Sequence, residues 1–168
     1  MTKRMMIGFV SIASAIAVAL PAVALPSFTT SAKSASDPNV SRVTQVWQIR
    51  VGNNGTFDRI VFDQRVSPSG YRVRYVTRVL SDPKGAVVAM KGKYFLQISM
   101  SGTTTASLSG MPSRASTLIT PGLPELAQIR RVGEFEQVVS YGVGLNRYRS
   151  FRVFRLTNPA RLVVDIHH

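Results

Sequence analysis

Apolar and polar residues alternate along much of this chain with the period of two that is typical of β-strands. The clearest case is the segment YRVRYVTRVL at residues 71–80, in which aromatic and aliphatic residues occupy every second position. The positions between them include Arg72, Arg74 and Arg78. This segment is therefore predicted to be a strand with one buried face and one face that displays three arginines.

Similar segments recur between turns that contain Gly, Pro, Asn or Ser, and no long segment has a helical period. Many short strands without a long helix indicate an all-β fold, here a β-sandwich of two antiparallel sheets. The predicted strands cover residues 43–51, 56–64, 71–80, 86–90, 94–100, 129–133 and 135–143, followed by a closing hairpin at 148–166.

Two segments depart from this pattern. Residues 101–122 are rich in Ser, Thr, Gly and Pro and have no periodicity, which predicts one long loop. Residues 123–128 are compatible with a single helical turn, because Pro124 can occupy the first helical position.

The closing hairpin is predicted to turn at Thr157-Asn158-Pro159-Ala160, since Asn and Pro favour tight turns. In its second strand, alternation places Leu162, Val164 and Ile166 on one face, which we expect to be buried.

The pattern Arg-aliphatic-Val-apolar-Asp occurs twice, as RIVFD at residues 59–63 and RLVVD at residues 161–165. Four residues of strand span about 13 Å, so neither arginine can reach the aspartate of its own segment. If the two strands run antiparallel with their central valines opposed, Arg59 faces Asp165 and Asp63 faces Arg161. We therefore expect these four residues to form two structural ion pairs.

The first 24 residues have the features of a secretory signal peptide. Lys3 and Arg4 precede an apolar run at 5–20, and a small-residue site follows at Ala22-Val23-Ala24. The alternative is an uncleaved membrane anchor, but the run is short and Pro21 interrupts it. The expected product is secreted or associated with the cell wall and has no membrane span, with a flexible tether at 25–42 and one domain at 43–168.

The sequence offers little for catalysis. The absence of cysteine excludes a lipid-bearing Cys, disulfides, thiolate metal sites and Cys nucleophiles. His167 and His168 are the last two residues, where we expect fraying, so no His-based catalytic residues and no metal or other cofactor are predicted. Glu134 and Glu136 lie about 6.6 Å apart if they share a strand face, a spacing that suits glycosidase chemistry, although solvated charges are far commoner.

Removal of residues 1–24 leaves 19 basic against 8 acidic residues, so anionic partners are favoured. Guanidinium groups beside an aromatic ring suit phosphate, carboxylate or sugar groups. A solvated sheet face is the alternative reading for each arginine, and burial in the core is the alternative to sugar binding for Trp47 and Tyr141. The candidate ligand-binding residues are Arg72, Arg74, Arg78, Arg147, Tyr148, Arg149 and Arg152.

Four segments resemble the AMIN-like domain family of exported actinobacterial proteins, which is related to the AMIN cell-wall-targeting domain. They are FDRIVFD (57–63), GYRVRYV (70–76), GEFEQVVSYGVGL (133–145) and FRVFRLTNPARLVVDI (151–166). The resemblance implies a β-sandwich and a non-catalytic role at the cell envelope. It also implies peptidoglycan as a ligand, because AMIN domains are thought to target their host proteins to it.

Two hypotheses follow. In the first, the domain binds an anionic polymer or glycan of the cell envelope, such as peptidoglycan or an associated polymer, without chemistry. In the second, it is a secreted interaction module that docks onto another envelope protein. Nucleic acid is not an expected partner, because no recognition module is present and export argues against it.

Overall fold

The structure is a computed structural model that describes residues 24–168, so the predicted signal peptide lies outside the described residues except for Ala24. Between residues 24 and 168 the chain forms eleven strands and no helix. The strands are β1 (Lys33–Ala35), β2 (Thr44–Asn53), β3 (Phe57–Arg65), β4 (Gly70–Val76), β5 (Tyr94–Ser101), β6 (Thr103–Thr104), β7 (Leu118–Ile119), β8 (Leu126–Phe135), β9 (Val138–Leu145), β10 (Phe151–Thr157) and β11 (Ala160–His167).

The strands are arranged in two sheets. The six-stranded sheet has the order β1-β4-β5-β9-β8-β7, and the five-stranded sheet has the order β10-β11-β3-β2-β6. The long neighbouring strands pair antiparallel, whereas the short β6 runs parallel to β2. The predicted all-β sandwich is therefore confirmed.

The core lies between the sheets and is built by the alternation seen in the sequence. Leu162, Val164 and Ile166 of β11 have no exposed surface, as their spacing predicts. The rings of Phe62 on β3 and Tyr141 on β9 meet with their centroids 5.2 Å apart, so they join the two sheets directly. Tyr141 has no exposed surface, so its ring is part of the core and cannot stack on a sugar. The same burial raises the pKa of its phenol.

The closing hairpin turns at the predicted residues, with Thr157 paired to Ala160. Its second strand, β11, lies between β10 and β3 and pairs antiparallel with β3. Val163 lies opposite Val61 in this register. The RIVFD and RLVVD segments are therefore aligned as predicted, with each arginine opposite the aspartate of the other segment.

The connection between β4 and β5, residues 77–93, lies against the outer face of the six-stranded sheet. The predicted strand at 71–80 ends at Val76, and the predicted strand at 86–90 is absent. Leu80 forms a bridge with Val87 inside this connection and Asp82 forms one with Gly133 of β8. Val79 packs against Gly142 of β9 and is 1% exposed. The strand predictions fail here because the apolar residues of the connection contact β9 instead of a strand partner.

The segment predicted to be a flexible tether, residues 25–42, pairs with the sheets at a few of its residues. Lys33–Ala35 forms β1 and pairs with β4, while Thr29 forms a bridge with Phe151. The ring of Phe28 also contacts that of His167, with centroids 5.1 Å apart. Backbone pairing along an open sheet edge orders this segment although its composition is that of a linker.

The segment around residues 101–128 also differs from prediction in part. The long loop contains the two-residue strands β6 and β7, and residues 123–128 form no helical turn, because β8 begins at Leu126. Glu134 holds the loop by accepting hydrogen bonds from Thr104 Oγ1 (2.6 Å) and the Thr105 amide (2.9 Å).

Glu134 and Glu136 do not form a pair of strand carboxylates. Glu136 lies in the turn between β8 and β9 with a positive φ of 45°. Partial burial acts to raise the pKa of Glu134, but hydrogen bonds from Thr104 and Thr105 outweigh it, and the pKa is lowered. The shared strand face on which the glycosidase reading depended is therefore not formed, because β8 ends at Phe135.

We expect Gly144→Ala to destabilise the domain. A Cβ at this position would overlap the backbone carbonyl of Lys91, where the 77–93 connection approaches β9. Overpacking of this kind typically lowers the free energy of unfolding by about 1–3 kcal/mol. The control is Gly52→Ala, because no atom lies near a Cβ at Gly52, and urea unfolding of the two variants gives the comparison. Equal stability of both would contradict this packing.

Candidate functional site

Three tyrosines line a groove at one end of the six-stranded sheet, which we call the tyrosine groove. Tyr75 is on β4, Tyr94 begins β5, and Tyr148 lies in the loop between β9 and β10. The groove has a volume of about 330 Å³. It is lined by Tyr75, Val76, Thr77, Lys93, Tyr94, Phe95 and Tyr148.

The groove forms because the β4–β5 pairing places the end of one strand beside the start of the next. Val76 lies opposite Phe95, which brings Tyr75 and Tyr94 to the same end of the sheet. The ring of Tyr148 lies 4.4 Å from that of Tyr75 and 5.7 Å from that of Tyr94, centroid to centroid. Tyr148 is 53% exposed and Tyr94 is 43% exposed, so two of the three rings present apolar surface to solvent.

Tyr75 is the fixed member of the cluster. Its hydroxyl donates to the Arg149 carbonyl at 2.6 Å and accepts from the Arg149 amide at 3.0 Å. Its ring also packs edge-on against the buried Phe151, at 5.8 Å between centroids. Burial is the largest cause that raises the pKa of Tyr75. Tyr75 therefore connects the groove to the core.

Glu125 holds the loop that carries Tyr148. Its carboxylate has no exposed surface and pairs with Arg147 at 2.6 Å and with Arg149 at 3.0 Å. The Asn146 amide donates to the Glu125 carbonyl at 2.9 Å. Because these contacts bracket Tyr148 in sequence, the exposed ring sits on a braced loop.

A second buried carboxylate supports Glu125. Asp58 of β3 accepts hydrogen bonds from the amides of Glu125 (2.8 Å) and Leu126 (2.9 Å), which links the two sheets. Its other oxygen lies 2.9 Å from His168 Nε2, and the His168 Nδ1 atom lies 2.8 Å from the Gly55 carbonyl. The expected fraying of His168 is therefore wrong, because two oxygen acceptors hold its ring.

Among the arginines predicted to bind a ligand together with Tyr148, Arg152 is set apart, because it lies on the five-stranded sheet. Arg147 and Arg149 pair with Glu125, and Arg152 pairs with Asp165 at 2.8 Å on the other sheet. Within residues 24–168, the exposed Arg72, Arg74 and Arg78 have no carboxylate partner within 4.0 Å. The sequence pattern located these charged positions, but not the strand order that places Arg152 on the other sheet.

The two expected ion pairs have different outcomes. Arg59 Nε donates to Asp165 Oδ1 at 2.6 Å, and this bond is the main cause that raises the Arg59 pKa. Asp63 lies opposite Arg161 as expected but pairs with Arg50, which donates from Nε at 2.6 Å and from a terminal nitrogen at 2.8 Å. The Arg161–Asp63 pair is therefore wrong, because a bidentate fork from β2 saturates the carboxylate.

Trp47 is half-buried at an irregular position of β2, between Val46 and Gln48. The Arg65 guanidinium lies 5.2 Å from its ring centroid. One face of the ring is thus covered by a cation.

The family model for the AMIN-like domain matches residues 44–168, almost the whole of the strand-forming region. The chain belongs to the AMIN-like domain family. The family is associated with targeting to the cell envelope. Searches of curated proteins and of solved structures found no match to the chain.

Two further features concern the described part of this AMIN-like domain. No helix in residues 24–168 is long and apolar enough to cross a membrane. The same residues contain no cluster of three or more His, Cys, Asp or Glu side chains that could hold a metal ion.

We expect Asp165→Asn to lower the free energy of unfolding by about 3 kcal/mol, because Arg59 and Arg152 lose the charge between them. In a double-mutant cycle measured by urea unfolding, Asp165→Asn and Arg59→Gln should show a coupling of about 1–3 kcal/mol. The matched control is Arg50→Gln, whose partner is Asp63. Additive effects of the Asp165 and Arg59 substitutions would contradict the pairing.

Proposed function

We propose that this AMIN-like domain is a non-catalytic module that acts outside the cytoplasm and binds a glycan of the cell wall in the tyrosine groove. The observation that carries this proposal is the pair of exposed rings, Tyr94 and Tyr148, on a support fixed to the core. The family's association with the cell envelope supports the same conclusion.

Tyrosine rings suit sugars because they combine an apolar face with a polar edge. The C–H face of a pyranose can stack on the ring while the hydroxyl bonds water or the sugar. Tyr94 and Tyr148 are tilted by 58° to each other, so they form two walls rather than one flat shelf. A chain of linked sugars could therefore contact both rings.

Positive charge beside the rings favours an anionic glycan. Lys93 lines the groove. Arg147 directly precedes Tyr148 in the sequence, and 61% of its side chain is exposed. The negative charge of Glu125 neutralises that of Arg147 only in part, because Arg149 pairs with the same carboxylate. Peptidoglycan, which carries carboxylates on its peptides beside its sugars, fits this combination of stacking and charge.

The support of Tyr148 also fits a binding role. Two ion pairs and a backbone hydrogen bond brace its loop, so little conformational entropy remains to be lost when a ligand binds. An exposed aromatic ring on a braced loop is typical of a binding surface.

We expect Tyr148→Ala to weaken binding of residues 25–168 to purified peptidoglycan by about five- to thirtyfold, or 1–2 kcal/mol, because the stacking surface is lost. Co-sedimentation over a range of wall concentrations gives the affinity. Tyr148→Phe should retain most of the binding, since the ring remains.

The matched control is Phe135→Ala, which removes an equally exposed ring at the far end of β8. Equal weakening by both alanine variants would refute a specific role for the groove. Absence of wall binding by the unmodified protein, together with recovery of one envelope protein by cross-linking, would instead favour the protein-docking function.

A further inference from the structure

A second cavity lies on the outer face of the five-stranded sheet and contains none of the groove residues. Its volume is about 300 Å³. Three arginines are among the residues that line it: Arg50 on β2, Arg59 on β3 and Arg161 on β11. We call this cavity the arginine pocket.

The pocket has more positive charge than its own carboxylates can balance. Arg50 occupies both oxygens of Asp63, while Arg59 and Arg152 share those of Asp165. Within residues 24–168, Arg161 has no carboxylate partner, and its one hydrogen bond runs from Nε to the exposed Pro159 carbonyl at 3.2 Å. Four guanidinium groups thus share two carboxylates on this face, and the terminal nitrogens of Arg161 remain available.

Beneath the arginines the surface is apolar. Val61 and Val163, which lie opposite each other on β3 and β11, are 8% and 2% exposed, and Leu156 of β10 adds to the lining. Water has few partners on such a surface, so charge interactions above it are stronger than in open solvent.

Two of the three arginines, Arg50 and Arg59, are also held in place before any ligand arrives. Arg59 is fixed by Asp165 and lies 5.0 Å from the ring centroid of Phe57. Arg50 is fixed by Asp63, yet half of its side chain is exposed. Rigid forks lose less entropy on binding than free ones.

We propose that the arginine pocket binds a phosphate group of an organic phosphate ester. A carboxylate has two oxygens, which a single bidentate arginine can satisfy, as Arg50 does for Asp63. The oxygens of a phosphate ester point in tetrahedral directions and do not lie in one plane, so a terminal oxygen can accept from Arg161 while the group faces the charges of Arg50 and Arg59. The ester carbon next to the phosphate would rest on Val61 and Val163.

The test uses residues 25–168 and isothermal titration calorimetry at fixed ionic strength. The probes are inorganic phosphate, glycerophosphoglycerol as a soluble phosphodiester, acetate, and vesicles of phosphatidylglycerol in phosphatidylcholine. We expect phosphate or phosphodiester to bind more tightly than acetate, and Arg161→Gln to weaken that binding at least about tenfold. Arg161 has no acid partner, so the variant should fold, which its urea midpoint checks.

The matched control is Arg42→Gln, which removes the same charge from an exposed turn before β2, outside the residues that line the pocket. Binding of the soluble phosphodiester that depends on Arg161 supports the site and points to a wall polymer, whereas Arg161-dependent binding of vesicles alone supports it and points to a lipid headgroup. Equal loss in both variants, equal binding of acetate, or no binding of any phosphate probe overturns the proposal. Tyr148→Ala should leave phosphate binding unchanged, so this result is separate from the glycan proposal.

Discussion

The burial of Asp165 is the constraint on which the five-stranded sheet depends. Its carboxylate has no exposed surface and is held between Arg59 of β3 and Arg152 of β10. A buried charge without its partners costs about 3–5 kcal/mol, so both neighbouring strands must be in register at once. A slip of one residue would turn the carboxylate toward the core and the aliphatic residues of β11 toward solvent. One side chain thus selects a single alignment for three strands.

The scarcity of acids extends this logic to the whole domain. Half of the eight acidic residues are buried, and each of these links separate parts of the chain. Asp58 and Glu125 join the sheets and brace the tyrosine groove, whereas Asp63 and Asp165 join strands of one sheet. Because acids are committed to structure in this way, the basic excess is left on the surface. The net positive charge of the surface therefore has two causes: the number of arginines, and the small number of acidic residues that remain to neutralise them.

The sequence predicted what depends on alternation and on charge spacing between two strands. The core residues of β11 and its alignment with β3 belong to this class. What it could not predict depends on which strands become lateral neighbours. Arg161 does not pair with Asp63 because Arg50, on the neighbouring strand β2, already binds that carboxylate. Nothing in the RLVVD segment indicates that β2 carries a competing arginine. The groove likewise requires Tyr94 and Tyr148, 54 residues apart, to meet at one end of a sheet.

The two outer faces of the sandwich differ because only one receives the long 77–93 connection. That connection packs on β9 through Val79, so it covers the outer face of the six-stranded sheet at β9. On the five-stranded sheet, Phe28 covers Arg152, with the guanidinium 4.4 Å from the ring centroid, and the arginine pocket lies beside this contact. Stacked sheets are about 10 Å apart, so a small ligand cannot reach both the pocket and the groove. A polymer that carries sugars and phosphates could reach both, and two modest affinities on one rigid domain would then reinforce each other.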